Sequence, residues 1–281
     1  MAGESGDSAA PAAQPAAPPA APSSAEVAAA KAEKLISSVR DKMNDFQKEE
    51  FHLEMASMKS MFAASQGIKD LGKAADQIAK DAMTPELRVY RAAVLGAAGK
   101  WHEFQQRYSG IGRTLSTLER DRAGLPKKLQ DEIDSLAMRF DQKNRGLVMK
   151  VADLYERVAE YRGALAIYGD LYKDIPEDKR KGERALKEKI AGLCEKVGDP
   201  ASALGLVKGI VEDRPEKDRY KDRKLGEWLG RLYEKTGDIE NALEVCKKTL
   251  NAVPADKRAK DGAALKKKIG ELEKKLSAGQ K

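Results

Sequence analysis

The stretch Leu229–Pro254, LGRLYEKTGDIENALEVCKKTLNAVP, decides the fold of this chain. Leu229, Leu232 and Tyr233 lie at helical spacing on one face. Gly237-Asp238 then supplies a glycine that tolerates positive φ and a carboxylate that can cap the next helix. Ala242, Leu243 and Cys246 restart the helical spacing, and Pro254 closes the unit. The unit reads helix, tight turn, helix, proline-ended loop, and it recurs upstream in one register. Leu154, Leu193 and Leu232 are 39 residues apart, as are Ala164, Ala203 and Ala242; Leu165, Leu204 and Leu243; and Pro176, Pro215 and Pro254. One helical pair buries too little apolar surface by itself, so a period of this length implies a solenoid of stacked hairpins.

The pattern resembles the tetratricopeptide repeat. The family's Leu-Gly pair, tyrosine, Gly-Asp turn, small residue, large residue and closing proline match Leu229-Gly230, Tyr233, Gly237-Asp238, Ala242, Cys246 and Pro254. The preceding unit has Ile190-Ala191, Cys194, Gly198-Asp199, Ala203, Val207 and Pro215. The first has Val151-Ala152, Tyr155, Ala164, Tyr168 and Pro176, with Ala159-Glu160 in place of the turn. Leu265 to Leu276 matches a first helix only and reads as a terminal capping helix. The resemblance covers residues 147–276. Its usual period is about 34 residues. The excess here follows each proline, in EDKRKGER, EKDRYKDRK and ADKRAKDGA, as polar loops or lengthened first helices.

The resemblance implies a non-enzymatic adaptor that takes a peptide or helix of a protein partner in a groove lined by first helices. In matching register the inward positions are Lys150, Asp153, Glu156 and Arg157; Lys189, Glu195 and Lys196; and Trp228, Arg231, Glu234 and Lys235. Trp228 is the expected anchor, since tryptophan dominates binding hot spots. Packing within the core is its alternative. Glu156, Glu195 and Glu234 stand beside Arg157, Lys196 and Lys235 as a ladder that can pair between neighbouring helices. Family members that grip a terminal carboxylate use asparagines that are missing here, and Asp153 occupies one of the gripping positions.

The rest of the chain agrees with an all-helical protein of one or two domains. It has 281 residues, 35% charged, 41% hydrophobic and 5% aromatic. A β-sandwich would need more β-branched and aromatic residues, and two cysteines exclude a disulfide scaffold. No apolar run approaches the length of a membrane span. Residues 1–24 are rich in Ala and Pro, lack a basic or apolar leader, and should form a disordered arm. Residues 25–83 form a long amphipathic, Met-rich helical region starting near Ser23-Ser24 and Glu26. Its apolar residues Ile36, Val39, Met43 and Phe46 slip in phase before Phe51, Met55, Met58 and Phe62. One long helix or two helices bent near Gly67 would both fit. The slip speaks against a regular coiled coil and leaves self-association or pairing with a partner helix open. Over 84–146 helical hairpins are expected. Thr84-Pro85-Glu86 starts a helix that stops near Gly99, and a short helix WHEFQQRY follows. The Gly96–Phe104 stretch could be an eroded repeat. Further helices are expected over Arg113–Arg122 and Lys127–Lys143.

No metal, cofactor or catalytic motif is apparent. His52, Met55, Met58 and Met61 fan over half of a helix and cannot converge on one ion. Cys194 and Cys246 read as reduced core thiols, which fits a cytoplasmic location. Net charge is +7. The basic inter-repeat segments Lys179–Arg184, Arg214–Lys224 and Lys257–Lys268 would align along one edge of the stack. That edge carries the alternative reading, a binder of nucleic acid or an anionic membrane surface.

Overall fold

A computed structural model describes residues 22–254 and 262–279, which hold eleven α-helices and no strand. Helix α1 (Ser24–Ser65) is unbroken over 42 residues. It opens with a capping box: Ser23 Oγ accepts from the Glu26 amide at 3.3 Å, and the Ser23 amide donates to Glu26 Oε2 at 2.7 Å. Ala32, Ile36 and Val39 are buried on its inner face, with Met43, Phe46, Leu53 and Met61 half-buried behind them. The helix ends before Gly67, whose φ of 89° it cannot continue. The arm expected over 1–24 lies outside the described residues except for Pro22, Ser23 and Ser24, and Ser24 is already helical.

After the short α2 (Ala74–Ala79), α3 (Pro85–Ser109) begins where Thr84 Oγ1 caps the Leu87 amide at 3.3 Å. Here the structure differs from the sequence expectation at two points. First, α3 runs straight through Gly96 and Gly99, so there is no break and no eroded turn between them. A glycine in a helix costs about 1 kcal/mol, and the burial of Val94, Ala98, Trp101 and Phe104 along one stripe outweighs it. Second, after α4 (Ile111–Asp121) comes a single α5 (Lys127–Arg157), so the boundary expected at 146/147 falls inside a helix. Leu129, Ile133, Leu136, Phe140, Leu147, Val151 and Leu154 keep one apolar face across Gly146. The α1–α5 core is rich in aromatic contacts. Phe46 meets Phe104 and Tyr108 edge-on, each at 5.4 Å between centroids, and Tyr108 stacks on Phe140 at 5.3 Å.

The remaining helices are α6 (Tyr161–Lys173), α7 (Arg184–Lys196), α8 (Pro200–Glu212), α9 (Arg223–Lys235), α10 (Ile239–Ala252) and α11 (Ala263–Gly279). Each packs against the next. The turns follow the expected chemistry: Gly198 and Gly237 have φ of 84° and 86°, and Asp199 and Asp238 cap the Ser202 and Asn241 amides. Ala159, in the same register, adopts φ of 59° without being glycine. Ala164, Ala203 and Ala242 are completely buried where paired helices meet. Helices α6, α8 and α10 all stop just short of Pro176, Pro215 and Pro254. The residues that lengthen the period form 3-10 turns, Glu177–Gly182 and Glu216–Asp218. Leu265 and Leu272 of α11 cover Ala242 and Cys246. No described helix is long and apolar enough to cross a membrane.

Candidate partner-binding face

The inward positions named from the sequence converge on a ladder of carboxylates. Glu156 of α5 accepts from Lys189 and Lys196 of α7, at 3.1 and 3.0 Å. Glu195 of α7 accepts from Trp228 Nε1 and Lys235 of α9, at 2.5 and 2.7 Å. Glu234 of α9 accepts from Lys268 and Lys275 of α11, both at 2.6 Å. In every step one carboxylate receives two donors that lie two turns apart on the next helix of the same set. Burial pushes the Glu156 and Glu195 carboxyls up, but their donors outweigh it and hold both below the usual range. The two lysines facing Glu234 lower its carboxyl directly. Asp153 joins the ladder by accepting from Tyr168 Oη at 2.6 Å and Lys189 Nζ at 3.0 Å.

Asp153, Lys189, Lys196, Trp228 and Lys235 are therefore paired within the chain. Trp228 is half-buried: its ring packs on the core, the alternative to its reading as an anchor, and its N–H is tied to Glu195. Arg157 and Arg231 are exposed, and neither forms an ion pair among the described residues. Lys150 has turned toward the N-terminal helices. It pairs with Glu54 of α1 and sits 3.9 Å above the Trp101 ring of α3, where burial pushes its ammonium below the usual range.

That contact marks a cleft between α1 and α5 of about 500 Å³. Met58 and Met61 form one wall, Trp101 and Leu154 the floor, and Met149 and Arg157 the other side. Ser57, 5% exposed, lines it too, and its Oγ has no hydrogen-bond partner among the described residues. A second recess of about 600 Å³ adjoins it, floored by Phe46, Phe104 and Tyr108 and bridged by the Glu50–Lys143 pair. Both are lined by Gly146 and Lys150. No spacing in the sequence marks this cleft, because its walls come from three helices far apart in the chain.

The basic edge is narrower than its sequence suggests. Arg180 Nε donates to the Ile175 carbonyl at 2.9 Å and Arg219 Nε to the Arg214 carbonyl at 3.4 Å, each closing its 3-10 turn. Arg145 grips Glu183, and in the next register Arg184 binds Asp222 at 2.8 Å. Arg214 reaches the same Asp222 at 3.0 Å. Lys179, Lys181, Lys217 and Lys224 remain exposed. Lys257 and Arg258 lie outside the described residues. Among the described residues no three His, Cys, Asp or Glu side chains are grouped as a metal site would need. No protein-family model matches the chain, and no curated protein matches it.

Proposed function

We propose that the protein is a non-enzymatic adaptor, a tetratricopeptide-like solenoid of helical hairpins that docks a peptide or helix of a partner protein. The observation that carries this reading is the cleft at the α1 end of the inward face. It combines an apolar wall of Met58, Met61 and Trp101, a buried hydroxyl without a partner at Ser57, and the unpaired guanidinium of Arg157. Open apolar recesses with a few polar groups are where ligands lodge. The carboxylate ladder supports it from behind, since a surface held by internal ion pairs loses little freedom on binding. The arginines spent on turns speak against the anionic-surface alternative. Free, buried thiols at Cys194 and Cys246 support a reducing compartment such as the cytoplasm.

The test compares proteins captured from a lysate by three forms of the full chain: the wild type, Met58→Glu with Arg157→Glu, and Lys179→Glu with Lys217→Glu. All substituted positions are at least partly exposed, and circular dichroism checks the fold. The adaptor reading expects a partner that is retained by the edge variant and lost by the cleft variant. Loss with the edge variant alone, steepening with salt, would move the function to an anionic surface. Trp228→Ala is a poor probe, because it also breaks the bond to Glu195.

A further inference from the structure

Four of the large apolar side chains that α1 exposes form one stripe. Phe51, Met55, Met58 and Phe62 are 63%, 54%, 54% and 71% exposed. Their spacings of four, three and four keep them on one side of a helix with about 3.6 residues per turn. That side is roughly 120° away from the face that buries Val39 and Ser57. Leu71, Val89 and Met138 are exposed singly elsewhere, which is ordinary. A contiguous apolar stripe is not, and it marks an interaction surface.

We propose that this stripe is a two-heptad seam through which two copies of the chain pair in parallel. The spacing is that of the apolar positions in a coiled coil. Following the same register upstream meets Lys48, Asn44 and Asp41, which ends the seam after two heptads. The flanks select the partner and its direction. Glu54 stands on one side of the stripe and Lys59 on the other, five residues apart. In a parallel pair this places Glu54 of each copy against Lys59 of its mate, twice by symmetry. An antiparallel pair would instead set Lys59 against His52 and Glu54 against Met61. Lys59 is exposed and has no ion pair among the described residues. Glu54 already pairs with Lys150 of α5 and remains partly exposed, so Lys59 of the mate would be its second cation.

The area is sufficient for a weak dimer. An aromatic side chain buries about 150–250 Å² and methionine is of comparable size, so two Phe and two Met exposed to this extent offer on the order of 450 Å² per copy. Flanking residues raise the total to roughly 1,200 Å², the lower edge of specific interfaces. Pairing should therefore depend visibly on concentration. Met58 belongs to both the seam and the cleft wall, so the clefts of two copies would open beside each other.

Sedimentation equilibrium on the full chain should show a mass rising from 30.7 kDa toward twice that value with concentration. Met55→Glu, on an exposed residue outside the core, should hold it at the monomer with an unchanged circular dichroism spectrum. Lys59→Glu should weaken the dimer roughly tenfold, whereas Lys59→Arg, which keeps the charge, should leave it intact. Met58→Cys should give a covalent dimer on mild oxidation, because position 58 faces itself only in a parallel pair; Cys194 and Cys246 are buried and do not compete. A monomer at every concentration would overturn the proposal. So would a dimer that survives Met55→Glu, or one that Met58→Cys cannot lock.

Discussion

Glu195→Ala is expected to destabilise the C-terminal helices by about 2 kcal/mol, far more than an ordinary surface charge. Glu195 is only 16% exposed, and its carboxylate takes the Trp228 indole N–H at 2.5 Å and the Lys235 ammonium at 2.7 Å. A hydrogen bond to a charged acceptor contributes about 1.5–3 kcal/mol, and truncation leaves a half-buried indole N–H without an acceptor. Lys235 is half exposed and rehydrates, so its share stays within about 0.2–1 kcal/mol. Both donors use one carboxylate, so the two figures do not simply add. Glu227→Ala is the control. It lies on α9, the helix that carries Trp228 and Lys235, and loses a pair with Arg223 one turn away, at a cost of about 0.5 kcal/mol or less. Urea unfolding followed by circular dichroism and tryptophan fluorescence measures both. The pH dependence gives an independent readout. Burial raises the Glu195 carboxyl, but Lys235 and Trp228 outweigh it and hold it below 4.5. The unfolded chain therefore takes up this proton first as pH falls. The contribution of Glu195 is complete above pH 4.5 and is lost as pH drops through the lower folded-state value. Glu195→Gln should flatten that part of the stability curve. Equal losses for Glu195→Ala and Glu227→Ala, with superimposable acid limbs for wild type and Glu195→Gln, would refute the ladder as a stabilising device.

Two substitutions test the packing of the repeats. Ala159→Gly should raise stability by about 0.5 kcal/mol in thermal melts, because an L-residue at φ of 59° carries about 1 kcal/mol of strain, partly offset by the greater freedom of glycine when unfolded; a fall in melting temperature would contradict it. Gly226→Ala should cost about 1–3 kcal/mol, since its Cβ would lie 2.2 Å from Oγ1 of the buried Thr249. Gly205→Ala, where a Cβ meets nothing within 4 Å, should be neutral or stabilising, and equal effects at the two sites would show that α9 and α10 are not so closely packed.

The C-terminal helices were legible because each repeated residue has a local task. Gly198 and Gly237 hold positive φ, Asp199 and Asp238 cap, and the prolines stop helices, whatever the rest of the chain does. The N-terminal half was less legible because its elements are decided by distant partners. Gly96 and Gly99 look like breaks in sequence, yet the stripe from Val94 to Tyr108 is buried against α1 and α5, and that burial overrides a local preference. The same holds for the cleft: Glu54, Trp101 and Lys150 come from three helices, and no spacing encodes their meeting. The arginine contacts were a different matter. Arg145 and Arg184, Glu183 and Asp222, and Arg180 and Arg219 all stand 39 residues apart in the sequence. The charge of the residues after Pro176 and Pro215 suggests a binding stripe, whereas their shared register, which Arg145 also keeps, marks them as parts of the repeat.

The carboxylate ladder and the Arg145–Glu183 and Arg184–Asp222 pairs together hold successive helices in register across the 39-residue period. Glu156 and Glu195 join neighbouring helices near the ends of α5 and α7, while Arg145–Glu183 and Arg184–Asp222 join them about three turns earlier on each helix. One such link would act as a hinge, leaving adjacent units free to rotate about it. Two links about three turns apart remove that rotation. The added residues supply the second link: the 3-10 turn after each proline delivers Glu183 or Asp222 to the arginine of the preceding unit. Helix α1 is fixed to α5 by the same rule, through Glu50–Lys143 and Glu54–Lys150. Between those two pairs the backbones stay apart over Gly146, which has no side chain to fill the gap, and the cleft is what remains. On the proposed function, recognition at this face would come from apolar contact in the cleft and from Arg157 and Arg231, because nearly every other inward charge already has a partner.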